Sequence, residues 1–197
     1  MFERIIGILK LHRPTYQAIE ADETATSQAA MIVGLVGLLG AIGAAIGAVI
    51  ANRAMADLMP QLQDQLGALP FAMPQLSPIG AFLSALLGAF IAWLMWSALT
   101  YFIGTRLFGG QATFNEMLRL LGFAQAPRLL SVLGFIPCLG AIFSFVGWIW
   151  SLITSYIAVK EGLDLDDGKT IATVVVSFIG VIIVNFLFGT LFGLLSL

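Results

Sequence analysis

The sequence predicts an all-α polytopic membrane protein: a bundle of about five transmembrane helices with a short N-terminal interfacial helix. Three observations carry this. Hydrophobic residues make up 59% of the 197-residue chain and charged residues 10%, whereas a soluble domain is about 45–50% apolar and about 25% charged. Five apolar stretches approach or exceed the roughly 20 residues needed to cross a hydrocarbon core of ~30 Å. Those stretches lack period-two alternation, which favours helices over a closed barrel, the other structure that satisfies its backbone in lipid.

The elements follow in chain order. In 1–27, a cytoplasmic amphipathic segment, Phe2, Ile5, Ile6 and Leu9 recur at helical spacing around Arg4 and Lys10, as in a helix lying in the interface. Pro14 restarts the chain, and Ala21-Asp22-Glu23-Thr24 leads into a transmembrane domain over 28–197. Its spans are expected at about 28–51, 79–103, 117–136, 139–159 and 171–197. Between the first two, Leu58, Leu62, Leu66 and Leu69 precede Pro70, Pro74 and Pro78. That pattern reads as a short surface helix and a return broken by proline, which has no amide hydrogen. Only Ile136–Gly140 separates the third span from the fourth, so these form a tight hairpin.

Basic residues set the orientation. With the N-terminus in the cytoplasm, Arg4, Lys10, Arg13, Arg106, Arg119, Lys160 and Lys169 lie inside and only Arg53 outside, with Arg128 within a span. The C-terminus is then outside. A net charge of −2 offers no basic surface for nucleic acid. Cys138 and His12 are each the only residue of their type, which excludes an intrachain disulfide and disfavours a metal centre or a His-based triad. Ile5–Leu9 is too short for the apolar core of a signal peptide.

Small residues line most spans. Gly40, Gly43, Ala44, Gly47, Ala48 and Ala51 share a face of the first, and Gly80, Ser84, Gly88 and Ala92 of the second. Gly140, Ser144, Gly147, Ser151 and Ser155 share one of the fourth, and Gly189 with Gly193 make a GxxxG in the fifth. Lipid gives helices no hydrophobic reason to associate, so close backbone packing through such residues does the work, within one bundle or between copies. Trp93, Trp96, Tyr101, Trp148, Trp150 and Tyr156 fit an interfacial belt or packing.

The third span is the candidate polar node. Pro127 deprives the Phe123 carbonyl of its helical partner, and Gln125 and Arg128, three apart, share a face. An arginine within a span costs about 2.5–3.5 kcal/mol on insertion scales, so Arg128 needs partners or a route to the interface. Asn185 in the fifth span is the other polar group that calls for a partner. These four residues read either as a structural node or as a transport or ligand site.

Two loops invite other readings. Asp164–Val175 lacks Gly at position six and Glu at position twelve of a calcium loop; Asp166 and Asp167 read as a cap on the last helix. Thr113 and Glu116 have capping-box spacing. No nucleophile–base pair, paired carboxylates or phosphate loop emerges, so neither an enzyme nor a cofactor is expected.

The order of parts resembles the Yip-type membrane domain, a family named for interaction with Ypt and Rab GTPases. The likeness rests on Gly109-Gly110 followed by Thr113-Phe114-Asn115-Glu116, on Gly122-Phe123-Ala124-Gln125-Ala126-Pro127, on Lys160-Glu161-Gly162-Leu163, and on the N-terminal Pro14-Thr15-Tyr16-Gln17-Ala18-Ile19. The resemblance implies five spans, a cytoplasmic N-terminus and, in eukaryotes, vesicle trafficking through small GTPases and fellow family members. The long N-terminal region with an Asp-Leu-Tyr-Gly-Pro motif has no counterpart here. That departure weighs against a small-GTPase partner and points to a prokaryotic member in the plasma membrane. The expected function is a non-enzymatic protein that organises membrane partners or the bilayer, with lipid, other membrane proteins or itself as partners. The alternative is a small-solute, ion or lipid transporter using the polar groups of the third and fifth spans.

Overall fold

A computed structural model describes residues 1–67, 75–135 and 139–195, with the side chains of 66, 135, 185 and 187–195 outside the description. Pro70, Pro74 and Cys138 fall outside it, as do the Asn185 side chain and the surroundings of Gly189 and Gly193. The described residues form seven α-helices and one 3-10 run: α1 (Phe2–Leu9), α2 (Arg13–Ala21), α3 (Ala25–Leu66), α4 (Pro78–Arg106), α5 (Phe114–Phe123), the 3-10 run (Ala126–Phe135), α6 (Leu139–Leu163) and α7 (Asp167–Leu195). Four stretches are long and apolar enough to cross a membrane: Ala25–Gln65, Pro78–Arg106, Leu139–Leu163 and Asp167–Val184. Their outward residues, such as Leu87, Ile91, Phe145 and Ile182, are apolar and exposed, as a lipid-facing surface requires.

Two of these elements differ from the sequence reading, each for a local reason. The first span does not stop near Ala51: α3 runs on through Pro60, which it holds in its interior, to Gly67, whose φ of +79° closes it. Asn52 then pins the returning chain, donating from Nδ2 to the Leu76 carbonyl (2.8 Å) and accepting the Leu76 amide (2.9 Å). Ser77 caps α4 by accepting the Gly80 amide, with Pro78 in the first turn.

The third stretch is not one α-helix. It is α5 followed by a 3-10 run, and the two lie antiparallel along α6 for its whole length. Gly162 meets Leu120, Thr154 meets Ala124, Gly147 meets Pro127, and Gly140 meets Gly134. Ten residues of α-helix rise about 15 Å and ten of 3-10 helix about 20 Å, so the broken segment matches an α6 of about 37 Å. The ends are capped as expected. Thr113 and Glu116 form both bonds of the capping box, and Asp166 accepts the Lys169 amide at the start of α7.

The best-buried region lies at one end of the bundle. Tyr16 and Ile19 of α2 are fully buried there against α5, in one cluster with Met117, Leu120, Phe123, Ala29, Ile32, Ala158 and Leu163, and the fully buried Ile8 of α1 joins it beside α2, α6 and the 3-10 run. The N-terminal segment is therefore part of the core as well as amphipathic: Ile5 and Ile8 turn inward while Phe2 and Ile6 stay exposed.

Candidate functional site

The site is the junction of α5 with the helices around it. Gly122 allows it to form. A Cβ there would sit 2.7 Å from the Ala29 Cβ of α3 and 3.2 Å from the Trp93 indole nitrogen, so only glycine permits both approaches. Through that gap the buried Trp93 donates from Nε1 to the Leu118 carbonyl at 3.1 Å. Trp93 is thus a tie between α4 and α5 rather than a belt residue.

One turn on, α5 breaks. Ala124 closes the last α-type bond, to the Leu120 carbonyl, and the next amides bond three residues back: Gln125 to Gly122 (3.2 Å) and Arg128 to Gln125 (2.9 Å). In this tighter frame the amide that would reach the Ala124 carbonyl belongs to Pro127, which has none. The acceptor that Pro127 leaves without a backbone donor in this frame is therefore the Ala124 carbonyl, one residue on from the Phe123 carbonyl of an α-helical frame. Thr154 and Ser151 of α6 supply the missing donors, their hydroxyls lying 2.7 and 3.2 Å from that carbonyl. Gly147 lets α6 come this close, since a Cβ there would lie 2.7 Å from the Pro127 carbonyl oxygen.

The polar residues expected at a node fall in different places. Gln125 is half-buried, Pro127 buried and Arg128 exposed. Gln125 and Arg128 are joined through the backbone bond above, and α7 carries Asn185, whose side chain lies outside the described residues. Of the small residues, Gly147 packs as described, whereas Gly43, Gly47 and Gly88 meet nothing within 4 Å among the described residues. The α3 face that does pack on α4 includes Gly37, 2.9 Å from the Ala89 Cβ by the same measure, with Ala41 and Ala48 buried further along.

Around α5 the N-terminal helices are strapped to the bundle. Arg4 bonds Asp22 at 2.5 Å and Gln28 at 3.4 Å. Arg13 pairs with Glu161 (3.3 Å), Gln17 donates to the same carboxylate (3.5 Å), and the Trp150 indole donates to the Leu9 carbonyl (3.0 Å). Arg119, 5% exposed, donates to the Glu20 carbonyl, while its Nε has no partner among the described residues. Hydrogen bonds from Thr24 and Arg4 hold the Asp22 carboxyl down at about 2. Burial pushes Glu20 the other way, up to about 7, reinforced by Glu116, Asp164 and Glu161 and opposed by Arg119.

A second tie lies below α5. Gly110, beside Gly109 with its φ of +73°, lets the loop approach Leu163, whose carbonyl accepts the Gln111 amide at 3.1 Å. Gly104 makes room for the Leu163 side chain, and Lys160 pairs with Asp167. Sequence reasoning missed Gly104, Glu20 and the Leu163 anchor, because neither a buried carbonyl acceptor nor a half-buried carboxylate leaves a spacing signal.

A fold of long apolar helices, whose polar side chains bond neighbouring backbones at one end, defines a polytopic helical membrane protein. The family model for the Yip1 domain matches residues 6–189, and the chain belongs to that family, a non-enzymatic membrane family. Comparisons with curated proteins and with solved structures give no match. The segments that carried the resemblance meet at this junction: Gly109-Gly110 and Leu163 in one contact, Gly122 and Pro127 at the break in α5, and Tyr16 and Ile19 buried beside it.

Proposed function

We propose that the protein is a non-enzymatic scaffold that organises membrane partners or the bilayer, with α5 and the 3-10 run together making the remaining membrane crossing. The observation that carries the reading is the fate of the polar groups beside the break. The Trp93 indole and the Ser151 and Thr154 hydroxyls are spent on carbonyls of the broken segment. A transporter would instead hold such groups ready for a solute. Arg128, exposed on the flank of the bundle, reaches headgroups by extending along its own helix, in keeping with long cationic side chains near membrane boundaries. Within the membrane the N-terminus lies inside in this reading, because seven of nine basic residues then face the cytoplasm.

The test is a pair of measurements on one preparation. Photo-crosslinkers at the exposed Ala18 and Phe102, in native membranes, are expected to give discrete protein adducts that excess unlabelled protein competes away. Proteoliposomes are expected to pass ions and small solutes no faster than protein-free vesicles. Saturable solute flux without protein adducts would contradict the proposal.

A further inference from the structure

We infer that the α1–α2 strap is a pH-dependent latch, in which ionisation of Glu20 weakens the seat of α2 between α5 and α6. This goes beyond the scaffold reading and stands independently of it. Glu20 shares a face of α2 with the fully buried Tyr16, four residues earlier, and follows the fully buried Ile19. Its side chain is half-buried and makes no hydrogen bond or ion pair among the described residues. Its backbone carbonyl, in contrast, receives the bond from the buried Arg119 that ties α2 to α5.

The charges facing Glu20 come from each neighbouring element. α5 presents Glu116 and Arg119, α6 presents Glu161, and the turn after α6 presents Asp164. On the strap itself, Arg13 is committed to Glu161, and Arg4 to Asp22. Three carboxylates against one cation leave an ionised Glu20 without compensation, in a site that already penalises charge by burial. The carboxyl accordingly holds its proton to about pH 7.

The sign follows from linkage. The seated carboxyl titrates above its ordinary value of 4.5, so seating is favoured fully below that value. It weakens as pH rises through about 7, because the released strap binds fewer protons than the seated one. Arg4–Asp22 does not oppose this, since Asp22 is ionised throughout that range.

The test is hydrogen exchange of the full-length protein in proteoliposomes, followed in peptides covering 13–21 and corrected for the intrinsic pH dependence of exchange. The exposed His12, which meets Thr15 at 3.1 Å at the start of α2, is replaced by Asn in every chain, so that its imidazole does not enter the comparison. Between pH 5.5 and pH 8, protection of α2 is expected to fall at least tenfold in this background and to stay constant in Glu20→Gln. Peptides from the middle of α4 should not change in either. A second variant, Glu116→Gln, keeps a residue that can close the capping box and removes one facing charge, so the midpoint should move to lower pH. Constant protection with Glu20 present, an equal fall in Glu20→Gln, or an unmoved midpoint in Glu116→Gln would overturn the latch.

Discussion

The Ala124 carbonyl shows how one proline sets the chemistry of its surroundings. Pro127 withholds a donor, the amide of Arg128 is committed to Gln125, and two hydroxyls of α6 close the gap. Leaving a buried acceptor unsatisfied costs about 1–3 kcal/mol. Thr154→Val removes the shorter bond, keeps the shape and leaves Ser151 on the carbonyl, so it is expected to destabilise by about 0.5–1.5 kcal/mol, with about 1–3 kcal/mol reached only when both hydroxyls are gone. Ser151→Ala should cost less while Thr154 remains, and the double variant should cost more than either. Unfolding in mixed micelles checks this, and equal stability of all four chains would show that the carbonyl is satisfied elsewhere. Arg128→Leu removes no side-chain bond among the described residues, so its stability should stay within about 0.5 kcal/mol of wild type. Pro127 and the serine stripe were readable in the sequence. The carbonyl they serve was not, because that depends on whether the chain continues as α or 3-10 helix, and periodicity does not separate the two over ten residues.

At the scale of elements, glycines sort into two kinds that look alike in sequence. Gly104, Gly122, Gly147 and Gly162 are points of contact where a side chain would strike a neighbour. Gly43, Gly47 and Gly88 have open space. Gly122→Ala should cost about 1–3 kcal/mol by overpacking, whereas Gly43→Leu with Gly47→Leu should leave the stability of one chain unchanged. If copies associate through that α3 face, the pair of leucines abolishes the association alone. Sedimentation and unfolding of the same samples separate these effects, and loss of monomer stability in the leucine pair would place α3 against its own bundle. The long apolar helices, the capping box and the Asp166 cap were legible because each is a local signal. The partner of each glycine was not, since the choice of face depends on how helices cross. The N-terminal helix illustrates the same limit: Phe2, Ile5, Ile6 and Leu9 announce amphipathicity, but burial of Ile8 beside α6 and the 3-10 run is decided by distant residues.

For the whole molecule, the account is of an apolar bundle closed at one end by a short broken helix and a strap. Reporters after Leu11 and within Leu163–Lys169 are expected on the cytoplasmic side, and one within Gln61–Gly67 on the other; the reverse would invert the orientation taken from the basic residues. The central claim is that the polar groups at the break hold the bundle together and do not line a solute path. It is tested most directly by the aqueous accessibility of Ser151, 7% exposed in the structure. Ser151→Cys in a chain with Cys138→Ala, reconstituted in vesicles, is treated from each side with a charged, membrane-impermeant thiol reagent, with Ala18→Cys as the reactive control. The account predicts no modification of Cys at 151 from either side while the control reacts fully. Modification from either side at a rate approaching that of the control would put water at the Ala124 carbonyl and contradict it.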